Sequence, residues 1–329
     1  MKFISGRKFL YFFTGILACT FLILSYTAYA LLKKSDYKSN EGVIVELNSS
    51  RDDIIYLLLE NRITDSQLMA KIALKIMSIY GINVKVGEYF IPQQASLISA
   101  IKSLSQGKKV IRKITISEGL SVIQVIEKLN ENELLLGEIK EIPEEGSLMP
   151  DTYFFSYPTE KQQIINRAKK MMSDFIAREW PNRSQLCFLK TPEEAVNLAS
   201  IVEKESFLER ELVASVYLNR LKKNMRLQAC PTVIYGITKG KPLGRTLLYS
   251  DLKQAENLYN TYRHAGLPPT AIANPGRESI KAVLHPAETD YLFFVFDGIS
   301  RHIFSKNFED HKKNRNVLRA RQKKYTKNK

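Results

Sequence analysis

Cysteine and histidine are scarce in this chain of 329 residues, which contains three cysteines and four histidines. Cys19, Cys187 and Cys230 form no CxxC pair and no metal-ligand cluster. The scattered histidines have no zinc-ligand spacing. Because Cys19 lies in an apolar segment, the chain has room for at most one disulfide elsewhere, and we expect unpaired thiols, since a domain of this length needs no covalent staple. We predict no metal and no organic cofactor.

Motifs for nucleic-acid or nucleotide binding are also missing. The sequence has no zinc-finger spacing, no RNP-like aromatic motif and no glycine-rich phosphate loop. Its formal net charge is +15 and its pI is near 9.5, which favours an anionic partner. Charge alone fits nucleic acid, lipid headgroups or cell-wall polymer. Since no motif supports the first of these, we predict no nucleic-acid partner.

The one long uncharged stretch is at the N-terminus, from Phe9 to Leu32, and it has 24 residues. This length exceeds the ~20 residues that cross a bilayer as a helix. Basic residues flank the stretch on both sides, so charge does not decide its orientation. A cleaved signal peptide is the alternative, with Ala28-Tyr29-Ala30 as a small-x-small site, but a signal's apolar core usually has about 7–15 residues. We predict a tail at 1–8, a transmembrane helix at 9–32 and a linker at 33–42.

Strand and helix patterns alternate after this segment. β-branched residues predict strands at 43–47, 84–91 and 110–116, and helical spacing predicts helices at 51–61, 97–104 and 122–129. A polar cap candidate precedes each helix: Ser50, Ser96 and Ser121. We therefore predict an α+β region at 43–135, which fits a polymer-binding module and a packed spacer equally well. Turn residues at Gly146, Pro150 and Asp151 open a second unit, and 160–180 reads as helix.

A helix that begins after Thr191 has a carboxylate on its apolar face. Pro192 suits the first helical position, and Glu194 is placed to complete a capping box with Thr191. Glu205 follows Leu198 by seven residues and falls within the apolar stripe, whereas Glu203 falls on its flank. Burial would raise the pKa of such a carboxyl, as a general acid needs near neutral pH. The alternative is a frayed helix end where Glu205 simply reaches solvent.

Polar segments after this helix have the groups that bind sugars: flat aromatic rings, amides and hydroxyls. The segment 226–236 is interpreted as a helix-breaking loop, and 260–262, 266–269 and 274–276 as further loops that line a cleft. The segments 291–296 and 302–305 predict a β-hairpin. His285, before Pro286, fits a site residue or a structural histidine.

Several of these segments, in order, resemble the MltG (YceG-like) family of endolytic murein transglycosylases. The series extends over about 90 residues. It consists of Leu198–Ser206, Val213–Leu221, Met225–Gln228, Pro231–Gly236, Asn260–Tyr262, Gly266–Pro269, Asn274–Gly276 and His285–Ala287, with Met149–Tyr153 upstream. The N-terminal half is similar in layout, an anchor followed by a LysM-like region, more than in residues.

The resemblance implies that Glu205 is the catalytic residue of a lysozyme-like domain, which we place at 145–320, before a basic tail at 321–329. It also implies a single-pass protein of the cytoplasmic (inner) membrane, with the N-terminus inside and the catalytic domain on the outer, periplasmic face. Two positions depart from the family pattern. Cys230 stands where an Asp is common, and Thr270 where a Gly is usual.

The activity expected from the resemblance is lytic cleavage between N-acetylmuramic acid and N-acetylglucosamine, which leaves a 1,6-anhydro end and terminates nascent strands. One carboxylate, Glu205, would act as acid and then as base. The expected partners are peptidoglycan strands, the cytoplasmic membrane and the peptidoglycan synthases. The candidate substrate-binding residues are Gln228, Thr232, Tyr235, Asn260, Tyr262, Asn274 and His285.

Two other functions are left open by the residues. A peptidoglycan hydrolase (muramidase) would need a second carboxylate, with Glu209 or Asp251 as candidates. A non-enzymatic wall-binding scaffold would instead depend on the basic N-terminal region.

Overall fold

The computed structural model describes residues 6–205 and 208–327, and side chains for 8–205 and 208–319. It combines helices with short two-stranded sheets, which confirms a mixed α and β composition. The chain divides into two compact units, Met1–Arg112 with Phe154–Thr159, and Lys113–Tyr153 with Glu160–Lys329. The predicted tail at 1–8 lies mostly outside the described residues, as do the side chains of the predicted tail at 321–329.

The first unit begins with helix α1 (Gly6–Leu32), whose apolar side chains are exposed except near its C-terminal end, where Leu31 is buried. From Lys8 to Leu32 this helix is long and apolar enough, by length and composition, to cross a membrane. Its position agrees with the predicted segment at 9–32. Since a signal sequence has the same properties, the helix by itself does not separate an anchor from a signal.

The rest of the first unit is a small α+β fold. Strand β1 (Val43–Val45) pairs antiparallel with β2 (Gly87–Tyr89), and both are shorter than predicted. The helices are α2 (Arg51–Glu60), α3 (Gln67–Ile79) and α4 (Leu97–Gln106). The predicted caps are confirmed, because the Ser50 and Ser96 hydroxyls accept hydrogen bonds from backbone N–H groups in the first turns of α2 and α4. Helix α3 was not predicted.

Within the segment 33–42, which we expected to be a linker, Tyr37 is buried in the core of this unit, whereas most of the neighbouring side chains are exposed. Tyr37 is 2% exposed, and its hydroxyl donates to the Glu41 carbonyl at 3.1 Å. Its own carbonyl accepts from the Gln94 N–H at 2.8 Å, and Leu31, in the last turn of α1, is buried in the same core. The buried Tyr37 ring therefore attaches the segment 33–42 to the core, although its polar composition is typical of a linker.

The second unit has more helix than sheet. The elements that follow α4, in chain order, are β3 (Arg112–Ile116), α5 (Val122–Asn130), β4 (Leu135–Leu136), β5 (Asp151–Phe155), β6 (Thr159–Glu160), α6 (Lys161–Glu179), α7 (Pro192–Glu205), α8 (Arg210–Lys222), α9 (Cys230–Thr238), α10 (Arg277–Leu284), β7 (Phe293–Phe296), β8 (His302–Ser305) and α11 (Phe308–Lys327). Part of β5 and of β6 lies in 154–159, which belongs to the first unit. Ser121 caps α5 as predicted. The predicted hairpin is confirmed by the antiparallel pairing of β7 with β8.

Helix α7 is at the centre of this unit and packs against α8 and α10. Leu198, Ile201 and Val202 are fully buried there, which confirms the apolar stripe. The Thr191 hydroxyl accepts from the Glu194 N–H at 3.2 Å, as predicted. The Glu194 carboxylate, however, accepts from the Lys190 N–H at 2.7 Å, one residue before the position that a capping box uses.

The prediction of a loop throughout 226–236 was wrong. Helix α9 begins at Cys230, with Pro231 in its first turn. Proline is compatible with this position because the first N–H groups of a helix have no intrahelical partner to lose. The preceding Gln228 has a positive φ of 52°, and this left-handed residue turns the chain into the helix.

Candidate active site

Glu205 is the last residue of α7, and its side chain is only partly exposed. Loss of hydration raises the pKa of this carboxyl from 4.5 to about 7. Two neighbours act in the opposite direction and lower the pKa: a hydrogen bond from Tyr217 and the charge of Arg220. Near neutral pH the group can therefore both give and take a proton.

Tyr217 donates the hydrogen bond to Glu205 from the middle of α8, where it is 1% exposed. Its ring meets the Phe294 ring edge to face, with centroids 5.8 Å apart. Burial raises the pKa of Tyr217 well above its ordinary value, so the hydroxyl keeps its proton and serves as a donor. Packing thus fixes the position from which Tyr217 donates.

Arg220 lies one turn further along α8 and is held by backbone carbonyls. Its Nε donates to Leu292 at 2.6 Å and its Nη1 to Leu227 at 2.7 Å. The guanidinium also lies over the Phe293 ring, 5.1 Å from the centroid. These contacts keep a largely buried positive charge near Glu205.

Tyr262 and Cys230 form a pair beside the same carboxyl. The Cys230 Sγ, at the start of α9, is 3.1 Å from the Tyr262 hydroxyl. Burial raises the pKa of Tyr262, with further contributions from the Cys230 hydrogen bond and the charge of Glu205. The Cys230 thiol, at the position where an Asp is common, is exposed and contacts Tyr262, whose pKa the Glu205 charge also raises.

Glu203, the other glutamate of the Glu-Lys-Glu segment, is fully engaged in structural contacts. Its Oε2 accepts from the Gly276 N–H at 2.9 Å, and its Oε1 is 3.3 Å from the Arg210 guanidinium. Arg210 also bonds to the Ser279 hydroxyl at 2.9 Å. The two glutamates on one helix therefore have different surroundings, as their positions on the helical wheel predict.

Three of the candidate substrate-binding residues use their side chains to hold loops together. The Thr232 hydroxyl donates to the Ala229 carbonyl at 2.7 Å, and the Asn260 amide donates to the Gln254 carbonyl at 2.7 Å. The Asn274 side chain links two loop segments, because its Oδ1 accepts from the Leu148 N–H and its Nδ2 donates to the Leu120 carbonyl, each at 2.9 Å. All three are buried.

The other candidates are at least partly exposed. The Tyr235 hydroxyl donates to the Glu145 carboxylate at 3.1 Å, and its ring is 5.0 Å from that of Tyr259. Gln228 is exposed before α9, and His285 is exposed at the end of α10. Among the seven candidates, Tyr262 is the one whose electrostatic surroundings, within the described part of the chain, include Glu205.

Sequence reasoning missed Tyr217 and Arg220, although both lie in the Val213–Leu221 segment that carries the family resemblance. The available signal was their spacing, since residues three apart share a helix face. A tyrosine and an arginine on the buried face of a helix need polar partners.

The second-carboxylate candidates, Glu209 and Asp251, are both occupied. Glu209 accepts from the His302 N–H at 2.8 Å and lies 2.9 Å from the ring Nδ1 of the same residue. Asp251 forms a 2.6 Å ion pair with Arg245 and accepts from the Leu248 N–H, and these contacts lower the pKa of Asp251 to about 2.

Comparison with known proteins decides the family. The sequence profile of the YceG-like family matches residues 43–317. The chain belongs to the YceG-like family. This confirms the resemblance drawn from the motifs around Glu205.

The curated relatives that the chain matches are named endolytic murein transglycosylases. The Bacillus subtilis (strain 168) protein named endolytic murein transglycosylase is 30% identical over 315 residues, which cover 85% of each chain. A protein of that name from Streptococcus pneumoniae (strain D39) is 30% identical over 177 residues, covering 52% of this chain and 31% of its own. Among solved structures, a yceG-like protein of Listeria monocytogenes has a TM-score of 0.51 at 29% identity, and the match covers 83% of this chain and 97% of that one.

Proposed function

We propose that this YceG-like protein is a lytic transglycosylase that cleaves the glycan strands of peptidoglycan, with Glu205 as catalytic acid and base. The observation that carries the proposal is the Glu205 carboxyl, whose pKa is about 7 and which accepts a hydrogen bond from the Tyr217 hydroxyl. The names of the curated relatives supply the substrate class.

In the first step, protonated Glu205 donates its proton to the oxygen that links C1 of N-acetylmuramic acid to N-acetylglucosamine. The C1–O bond breaks through an oxocarbenium-like state. In the second step, the Glu205 carboxylate takes the proton of the muramic acid 6-hydroxyl, whose oxygen bonds to C1. The product is a 1,6-anhydro end, no water is consumed, and Glu205 regains its proton.

The neighbours of Glu205 suit this cycle. Between the two steps the carboxylate is charged, and the Tyr217 hydrogen bond and the Arg220 charge stabilise that form. Desolvation stabilises the protonated form needed at the start. The pKa of about 7 reflects the balance between these effects, and it lets one group serve in both steps at neutral pH.

A hydrolase is less well supported by this geometry. Activation of water by a second carboxylate requires a free group in the cleft. Glu209 is bonded to His302, and Asp251 is paired with Arg245. Neither candidate has the unpaired carboxylate that a general base would use.

The finer features of the proposal rest on the family resemblance and on α1. We propose that α1 anchors the protein in the cytoplasmic membrane with its N-terminus inside, so that the catalytic domain works on the outer face. Residues 43–135 would be a LysM-like region that contacts glycan, and 145–320 a lysozyme-like domain. Cleavage beside the peptidoglycan synthases would end nascent strands, and the net charge of +15 favours an anionic wall or lipid surface.

The test is mass spectrometry of purified peptidoglycan digested by the full-length protein in detergent, beside its Glu205→Gln variant. Glu211→Gln, an exposed glutamate on α8, is the matched control. Anhydro-ended fragments from wild type and control, but not from Glu205→Gln, are expected. Reducing ends would indicate a hydrolase, fragments from Glu205→Gln would exclude its role, and an absence of fragments from all three would favour a scaffold.

A further inference from the structure

The positive charge of the chain is concentrated in helix α11 and the residues that follow it. The formal net charge of the whole sequence is +15. From His311 to Lys329 the sequence has nine lysines and arginines and no aspartate or glutamate, so these 19 residues carry +9 of this charge. Such a concentration of one sign favours a partner with many negative charges.

The described part of α11 packs along one side of the helix. The His311 ring stacks on the Phe293 ring of β7, with centroids 5.3 Å apart. The Asn314 amide donates to the Ser305 hydroxyl of β8 at 3.1 Å, and Leu318 is buried. At about 100° per residue, His311, Asn314 and Leu318 fall within an arc of roughly 60°. These contacts fix the rotation of the helix about its axis.

The cations of this part of α11 lie on the other side of the helix. They fall within an arc of roughly 160°, centred about 150° from the packed arc. We call this arc the basic face, and it consists of Lys312, Lys313, Arg315 and Arg319. Arg315 is partly exposed, and the other three are exposed. Lys313 lies 3.6 Å from the Asp310 carboxylate, and among the described residues the other three cations have no ion-pair partner.

An aromatic ring also lies on the basic face. Phe308, the first residue of α11, falls between Arg315 and Arg319 in helical angle. Its ring is 5.8 Å from the Phe293 ring, yet Phe308 is 55% exposed. Exposed aromatic residues beside cations are typical of a helix at a lipid surface, where the ring enters the headgroup region and the cations meet phosphates. A soluble polyanion has no apolar layer for the ring to enter.

A bilayer also matches the arrangement of the charges. Its phosphates lie in a plane, and the described cations of α11 lie on the one face that is not packed against the protein. Because α1 and α11 belong to one chain, the proposed anchor would keep α11 at a high effective concentration relative to the bilayer surface. Weak electrostatic contacts are then sufficient for binding.

We propose that the basic face of α11 binds the anionic phospholipid headgroups of the membrane in which α1 is anchored. The lysine and arginine side chains would contact lipid phosphates, with the Phe308 ring in the headgroup region. The proposal rests on the proposed anchor, and it adds a second membrane contact from the unit that carries Glu205. Each lysine or arginine near an anionic surface strengthens such binding about fivefold.

The test is lysine acetylation of the full-length protein in lipid nanodiscs. Phosphatidylcholine discs are compared with discs that contain roughly one-third phosphatidylglycerol, which gives an anionic surface potential of about −30 mV or more. Mass spectrometry reports the acetylation rates of Lys312 and Lys313, with the exposed Lys170 of α6 as internal reference. Phosphatidylglycerol should lower both rates at least about threefold relative to Lys170. Addition of about 1 M NaCl, which shortens the Debye length to ~3 Å, should restore them.

A double variant removes half of the basic face and leaves both probe lysines in place. Arg315→Gln with Arg319→Gln should weaken lipid binding about 25-fold and abolish the protection of Lys312 and Lys313. Arg178→Gln with Lys190→Gln removes the same charge from two exposed positions of the second unit and should keep the protection. Unchanged protection in the α11 variant overturns the proposal, as does equal acetylation in the two kinds of disc.

Two further measurements separate this proposal from the others. Retention in phosphatidylcholine discs tests α1 alone, so protein that leaves these discs but stays on phosphatidylglycerol discs would remove the anchor and support lipid binding by α11. Protection by added polyphosphate, but not by phosphatidylglycerol, would assign the basic face to a soluble polyanion and overturn its binding to lipid. Acetylation does not require turnover, so failure of the Glu205 mechanism would leave either result intact.

Discussion

The Tyr217 hydroxyl donates a hydrogen bond to the Glu205 carboxylate, so the middle of one helix controls the acid at the end of another. Tyr217 is buried against Phe294, and this packing fixes the position from which its hydroxyl donates. The protonation of Glu205 therefore depends on the packing of α8 and the β7–β8 hairpin as well as on its own burial.

The pH dependence of cleavage should follow the Glu205 carboxyl. Bond breaking requires its protonated form, and the pKa is raised to about 7. We expect kcat to be highest below this pH and to fall about tenfold per pH unit well above it. Initial rates of fragment release between pH 5 and pH 9, values chosen to bracket the pKa at roughly two units on each side, provide the measurement. A rate that does not fall above the pKa would contradict this role.

Glu205→Gln, which removes the charge of the Glu205 carboxylate, should stabilise the fold at alkaline pH. Because the folded-state pKa of Glu205 is raised above 4.5, the wild-type free energy of unfolding falls as pH rises from about 4.5 to about 7 and is flat above. Glu205→Gln lacks this loss. Relative to wild type, the variant should therefore gain about 3 kcal/mol of stability between pH values below 4.5 and pH values above the folded-state pKa. Thermal unfolding at both pH values checks this.

Glu203→Gln is the contrasting variant on the same helix. It leaves the Arg210 guanidinium with a weaker partner and should lower stability by about 3 kcal/mol at neutral pH. A stabilising effect of Glu203→Gln, or a destabilising effect of Glu205→Gln at alkaline pH, would show that the two carboxylates have been assigned the wrong surroundings.

Tyr217→Phe should raise the pKa of Glu205 further, because it removes a hydrogen bond that lowers this pKa. A hydrogen bond to a charged group contributes about 1.5–3 kcal/mol, which corresponds to roughly one to two pKa units. The alkaline limb of the rate profile should move up by this amount, and kcat should fall because the carboxylate loses a stabilising donor. The measurement is the pH–rate profile of the variant.

Tyr153→Phe is the control for this effect. The Tyr153 hydroxyl is buried and donates to the Met149 carbonyl at 2.6 Å, so its loss should also destabilise the fold. It should not move the pH–rate profile. A shift of equal size in both variants would attribute the effect to general loosening of the unit.

Alkylation of Cys230 should inhibit cleavage. The thiol is exposed and 3.1 Å from the Tyr262 hydroxyl, so an added maleimide group would occupy space beside Tyr262, whose electrostatic surroundings include Glu205. We expect at least about a tenfold loss of rate, since misplacement of substrate by a fraction of an ångström to 1 Å has effects of this size or larger. Rates before and after treatment with N-ethylmaleimide measure it.

Cys230→Ser should be resistant to the same treatment. Cys187 is buried, and burial raises the pKa of its thiol, so it should react slowly. Equal inhibition of wild type and Cys230→Ser would place the sensitive thiol elsewhere.

Local signals in the sequence predicted the elements that depend on local contacts. The caps at Ser50, Ser96 and Ser121 require a side chain and an N–H three residues later, and both are visible in the sequence. The stripe that contains Glu205 follows from helical spacing alone. The burial of α7 against α8 and α10 then explains its raised pKa.

Features that depend on tertiary packing were not predicted. The partners of Glu205 come from another helix, and nothing in the spacing of Tyr217 and Arg220 shows which carboxylate they face. Thr232, Asn260 and Asn274 are typical sugar-binding residue types, yet their polar atoms hold loops together. Composition gives the chemistry of a side chain but not whether that chemistry is already used within the fold.

The burial of Tyr37 limits how the first unit can move relative to the proposed anchor. Tyr37 contacts Glu41 and Gln94 only a few residues after α1 ends, so no flexible linker separates α1 from the folded core of the first unit. With α1 in the bilayer, the rest of the first unit would stay at a constant distance from the lipid surface. If α1 is the proposed anchor, the first unit would then contact glycan only within a fixed distance of the lipid surface.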